Sequence, residues 1–149
     1  MKPAEVPFNH LSLQQLSELE YILLGDLRDV LDEESNEQNR KWLSAIVEAL
    51  LRTIPREFDL RCNGGYMQEV LLVRPEADSE VQNLRNEQRS LCDQLQEISD
   101  RLSTSRSFQK HALALKQELA DWSEHLRSHN INEERLVQDV YLLDIGGGD

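Results

Sequence analysis

Aromatic residues are scarce in this 149-residue chain, at 5%, while charged residues reach 30%. That balance favours helices with wide solvated faces over a β-sandwich. Glycine and proline are also few, at six and four, too sparse a set of turn signals for a many-stranded fold. Positive charge is in deficit. A net charge of −12 repels phosphate backbones and anionic membrane surfaces, which argues against nucleic-acid and membrane partners. No apolar run approaches the ~20 residues that span a bilayer, and Met1-Lys2-Pro3-Ala4-Glu5-Val6-Pro7 lacks the apolar run of a signal peptide. The two cysteines, Cys62 and Cys92, are far apart and form no C-x-x-C pair. They read either as reduced thiols or as small buried apolar residues, and the expected location is cytoplasmic. At this length one domain can bury a core without disulfides or a structural metal.

What is present is helical periodicity. From about Leu13 to Glu33, Leu16, Leu19, Leu23, Leu27, Val30 and Leu31 recur at steps of three and four, and so share one helix face. Ser12 with Gln15 predicts a capping box at its start, and Ser35 with Gln38 repeats that signal for a second helix. The second stripe is Leu43, Ile46, Val47, Leu50, Ile54 and Phe58, with Pro55 inside it. Proline removes one backbone donor, which predicts a kink or a break with a fresh turn. Asn63-Gly64-Gly65 is the strongest stop signal in the chain, because glycine takes positive φ freely.

A short helix through Tyr66–Val73 is expected next, ended by Arg74-Pro75. A third long helix starts near Asp78 or Ser79, with Ser79 and Gln82 as a capping pair and Val81, Leu84, Leu91, Leu95, Ile98 and Leu102 as its stripe. After Ser103-Thr104-Ser105, a fourth carries Phe108, Ala112, Leu115, Leu119, Trp122 and Leu126 and continues to about Tyr141. Four stripes and short connections predict an all-α, antiparallel up-down four-helix bundle, with a short extra helix after the second. The rival, a long two-stranded coiled coil, fits poorly with short stripes and firm breaks at Gly64-Gly65 and Pro75. Residues 1–149 read as a single domain, with 1–11 an N-terminal extension and 142–149 a C-terminal tail.

The informative positions are those where a stripe turns polar. On the fourth helix Leu126 leads to His129, Glu133 and then Leu136; on the third, Gln88 stands between Leu84 and Leu91. On the second, Ile54 and Phe58 flank Glu57, with Arg61 one turn beyond. Buried polar groups need partners or a ligand. His129 and Glu133, four apart, can aim at one interior point, as a metal-ligating pair or as a mutually satisfied buried pair.

Three stretches resemble the hemerythrin-like cation-binding family. Glu57-Phe58-Asp59-Leu60-Arg61-Cys62-Asn63-Gly64-Gly65-Tyr66-Met67 is similar to the end of its second helix, Glu87-Gln88-Arg89-Ser90-Leu91 to its third-helix Glu-His segment, and His129-Asn130-Ile131-Asn132-Glu133-Glu134-Arg135-Leu136 to its fourth-helix H-x-x-x-E-E motif. The tail Asp144-Ile145-Gly146-Gly147-Gly148-Asp149 adds a likeness to one bacterial subgroup. The resemblance implies a hemerythrin-like bundle with most metal ligands replaced. Glu57 and Gln88 stand where histidines are expected and Arg61 where glutamate is, the first-helix histidine is missing with only Asp26 on offer, and His129 and Glu133 survive. That set is too poor in imidazole for a di-iron centre. On this reading Arg61 partly replaces the missing metal charge, pairing with Glu57, Glu133 or Asp26, while Gln88 and His129 fill the remaining hydrogen bonds. The alternative places Arg61 as an exposed last-turn residue favoured by the helix dipole.

His125 and His129 have a zinc-compatible spacing, but no glutamate lies between them as in metalloprotease helices, and His125 reads more simply as a solvent-edge residue. His10 and His111 lack a ligand partner at useful spacing. No G-x-S-x-G, P-loop or G-x-G-x-x-G is present. The expected function is therefore a non-enzymatic interaction or regulatory module, without cofactor or catalytic residues, acting on a protein partner. The alternative is a metalloprotein with a reduced mononuclear iron or zinc site using His129 and Glu133; a third reading is a homodimer through an exposed helix face.

Overall fold

A computed structural model of the chain describes residues 10–63 and 65–146, and among these all regular structure is helical. Helix α1 spans Leu13–Leu31 and starts with the expected capping box. Ser12 Oγ accepts the Gln15 N–H at 3.1 Å, and Gln15 Oε1 accepts the Ser12 N–H at 2.9 Å, so two orphan donors of the first turn are satisfied reciprocally.

Helix α2 runs over Glu37–Cys62. Its cap is Asn36 rather than Ser35: Asn36 Oδ1 accepts the Asn39 N–H at 2.8 Å. The helix stays unbroken through Pro55, where the buried Ile54 and Phe58 on either side offset the one hydrogen bond that proline removes. It ends where the glycines predict, and the described glycine there is not held in positive φ. Gly65 has φ −102°, and a Cβ there would lie 2.3 Å from the Leu60 carbonyl oxygen and 2.7 Å from that of Arg61. Gly65 is thus demanded by close approach to the end of α2; Gly64 lies outside the described residues.

Helix α3, Tyr66–Val73, follows as expected. A 3₁₀ turn over Pro75–Ala77 then leads into α4, Asp78–Leu102. The start of α4 has no side-chain cap, so Ser79 and Gln82 do not act as one. Asp78 and Glu80 instead place negative charge in the first turn, where the helix dipole favours it. Helix α5, Ser105–Gly146, is interrupted at His111, whose φ of −128° and ψ of 23° leave the helical region. It passes the expected end at Tyr141 by five residues; residues 147–149 of the expected tail, and 1–9 of the N-terminal extension, lie outside the described residues.

Helix α1 packs on α2, α2 on α4 and α4 on α5, while α5 closes back on α1 and α3 bridges α2 and α5. At one end of the assembly, side chains from neighbouring helices take up carbonyls left open near helix C-termini. Asn39 Nδ2 donates to the Val30 carbonyl at 2.8 Å, an Arg40 guanidinium nitrogen to that of Leu102 at 2.9 Å, and Lys116 Nζ to that of Glu33 at 2.7 Å.

The apolar interior is in two parts. The larger includes Leu27, Leu43, Leu50, Leu95, Leu119 and Leu126; the smaller, beneath α3, includes Met67, Val70, Val81, Leu84, Leu136 and Val140. Cys62 belongs to the smaller part and Cys92 packs against the larger. Among the described residues no helix is long and apolar enough to cross a membrane.

Leu50 is fully buried in the larger cluster, so Leu50→Ala should cost ~2–5 kcal/mol of unfolding free energy in urea titrations. Gly25 sits inside α1 with open space where its Cβ would be. Gly25→Ala should accordingly raise stability by ~0.5–1 kcal/mol in the same assay.

Candidate functional site

Between the two apolar clusters lies a layer of charged and polar side chains to which every long helix contributes. On α1 Glu20 is buried between Leu16 and Leu27; on α2 Glu57 and Arg61 are buried; on α4 Gln88 lies between Leu84 and Leu91; and on α5 His129 and Glu133 lie between Leu126 and Leu136. Glu57 and His129 are 0% exposed and Glu133 is 1% exposed. Charges this deep require pairing, since each costs several kcal/mol to remove from water.

Arg61 supplies the pairing. One terminal nitrogen donates to Glu57 Oε1; the other lies 3.2 Å from Asn130 Oδ1 and 3.5 Å from Glu133 Oε2. The guanidinium also lies 5.8 Å from the Phe58 ring centroid. Arg61 therefore points inward, and its reading as an exposed last-turn residue does not hold.

Glu133 is the most heavily served carboxylate. Its Oε1 accepts from the Tyr66 hydroxyl at 2.7 Å, and its Oε2 accepts from Gln88 Nε2 at 3.4 Å. His129 Nε2 stands 3.1 Å from Oε2 without hydrogen-bond alignment. Burial raises the Glu133 pKa, but His129, Arg61 and Tyr66 outweigh it and hold the group below the ordinary carboxylate range. Burial pushes the Tyr66 hydroxyl up, which keeps it a donor. The other face of His129 is taken by Glu87, whose Oε1 is 2.5 Å from Nδ1, while Glu87 Oε2 lies 3.7 Å from the half-exposed His125.

Glu57 is held differently. Its Oε1 accepts from Ser17 Oγ at 3.0 Å, and Glu20 lies alongside, itself accepting from Asn130 Nδ2 at 3.2 Å. Burial and the Glu20 carboxyl push Glu57 up to about 8, against the pull of Arg61. Glu57 Oε2 is left without a hydrogen-bond partner, and the proton that burial and Glu20 favour on Glu57 gives this carboxyl a donor of its own.

The family models, the curated proteins and the solved structures yield no match to this chain.

Of the residues singled out in the sequence, Glu57, Arg61, Gln88, His129 and Glu133 converge in this layer. Asp26 does not: it is exposed on α1, six residues past Glu20 and therefore turned to another face. Glu20 takes the place expected of it. Sequence reasoning also passed over Ser17, Tyr66, Glu87 and Asn130. Glu20 had a usable signal, because it stands four residues after Leu16 and seven before Leu27, a polar residue on an apolar stripe. His10 and His111 are exposed, away from the layer. Among the described residues, no group of three or more histidine, cysteine, aspartate or glutamate side chains is arranged to hold a metal ion. A guanidinium set between Glu57 and Glu133 is also a poor neighbour for a metal cation, because like charges repel.

The raised Glu57 pKa makes stability depend on pH. The native state keeps a proton that the unfolded state releases near 4.5. The stabilisation is full below that value and is lost as pH rises through about 8. Glu57→Gln should flatten the fall in melting temperature between those two limits, measured by circular dichroism across the range.

Proposed function

We propose that the chain is a hemerythrin-like, antiparallel up-down bundle in which an organic charge layer stands where a di-iron site would be. On this proposal it serves as a non-enzymatic interaction or regulatory module for a protein partner. The reading rests on one observation above the others: Arg61 is turned inward onto Glu57 and Glu133, so that a permanent cation occupies the centre of the former ligand positions. The converging residues fall at the places that the family resemblance marks, on α2, α4 and α5. The antiparallel reading is supported by the end-to-end contacts. Val30 near the end of α1 meets Asn39 near the start of α2, and Ser17 near the start of α1 meets Glu57 near the end of α2. Burial pushes both cysteine thiols up, Cys92 to about 11, which supports reading them as inert thiols.

A second reading has one observation of its own. His129 Nε2 is buried without a hydrogen-bond partner and lies 3.1 Å from Glu133 Oε2, as a mononuclear iron or zinc site using these two residues would require. Metal analysis separates the readings. Protein purified without chelator should carry iron and zinc far below one equivalent; near-stoichiometric metal, lost in the His129→Ala, Glu133→Ala double variant, favours the second. The family assignment has its own test. Replacing Glu57→His, Arg61→Glu and Gln88→His together restores the resembled ligands and should raise iron uptake well above the parent. Unchanged uptake by a folded triple variant would count against the assignment.

A further inference from the structure

The outer face of α1 has features that the fold does not use. Tyr21 is 81% exposed and Ile22 57%, and these lie four and three residues before Gly25, on one helical face with it. A Cβ on Gly25 would meet nothing within 4 Å. No internal contact therefore calls for glycine, although glycine weakens a helix interior. A gap at Gly25, flanked on its N-terminal side by two exposed apolar side chains, is a shape into which another helix packs closely.

The charge around the gap selects its occupant. Glu18, seven residues before Gly25, and Asp29, four after it, are exposed on the same face, and Arg28 is the one cation that α1 itself carries. The whole chain carries −12. A second copy would bring the same acidic rim against itself, whereas a cationic helix would meet complementary charge. We infer that the Tyr21–Ile22–Gly25 face of α1 docks an amphipathic helix of another protein, one with lysine or arginine beside its apolar stripe. This inference rests on the interaction-module reading and gives that module its surface.

The test uses the full chain and a fluorescently labelled synthetic helix of leucine and lysine at amphipathic spacing, read by anisotropy. The parent protein should bind it. Tyr21→Ser with Ile22→Ser should weaken binding by about tenfold or more, and Gly25→Leu should do the same without lowering the melting temperature. Leu113→Ser, at an 82% exposed apolar residue on α5, should leave affinity within about twofold. Equal binding by the parent and the double variant overturns the face while leaving an interaction module intact. A parent dimer that the double variant dissolves overturns the cationic helix in favour of a second copy. Absence of binding by the parent also overturns the face, and only if stoichiometric metal accompanies it does the interaction reading fall as well.

Discussion

A guanidinium withdrawn from water must meet carboxylates at short range, and those carboxylates must in turn find donors for their remaining lone pairs. Arg61 imposes that requirement on every long helix of this protein. It lies against Glu57 on its own helix and Glu133 on α5. Glu133 draws in Gln88 from α4 and Tyr66 from α3, while Glu57 draws in Ser17 and Glu20 from α1. Sliding any one helix by a turn would strand a charge or, on α4, the Gln88 amide in one of the two apolar clusters. Hydrophobic burial supplies the bulk of the stabilisation, and the charge layer fixes the register in which that burial occurs.

The helices could be read from the sequence wherever periodicity was regular and long. Leucine stripes placed all four long helices, the signals at Asn63-Gly64-Gly65 and Arg74-Pro75 bracketed the short α3, and Ser12 with Gln15 fixed one start to the residue. The misplacements were local and came from competing donors and acceptors. Asn36 reaches the Asn39 N–H and displaces Ser35 as cap, and the 3₁₀ turn at Pro75–Ala77 delivers the chain into α4 without a side-chain cap. The role of Gly65 depends on how near its backbone runs to the carbonyls of Leu60 and Arg61, a tertiary proximity that no local pattern encodes.

The charge layer was partly visible for the same reason. A polar residue in a leucine stripe marks a buried position whatever its partner, and this located Gln88, His129 and Glu133. Asp26 was drawn in by its place in the family resemblance, although its helical phase points it elsewhere; Glu20 has the right phase. Glu87, Tyr66 and Asn130 sit beside stripe positions or after a turn, where only the packed geometry decides that they face inward.

The division of the interior has a consequence for how the molecule breathes. The cluster beneath α3 is the smaller of the two, and the layer that separates it from the rest is made of directional contacts instead of interlocking methyl groups. Ion pairs and hydrogen bonds are lost over short separations, whereas a continuous hydrophobic core resists partial opening. The end of the bundle formed by α3, the start of α4 and the later turns of α5 thereby has an apolar cluster of its own. Such a division favours local opening of that end ahead of the leucine-rich one, with the boundary between the two at Arg61.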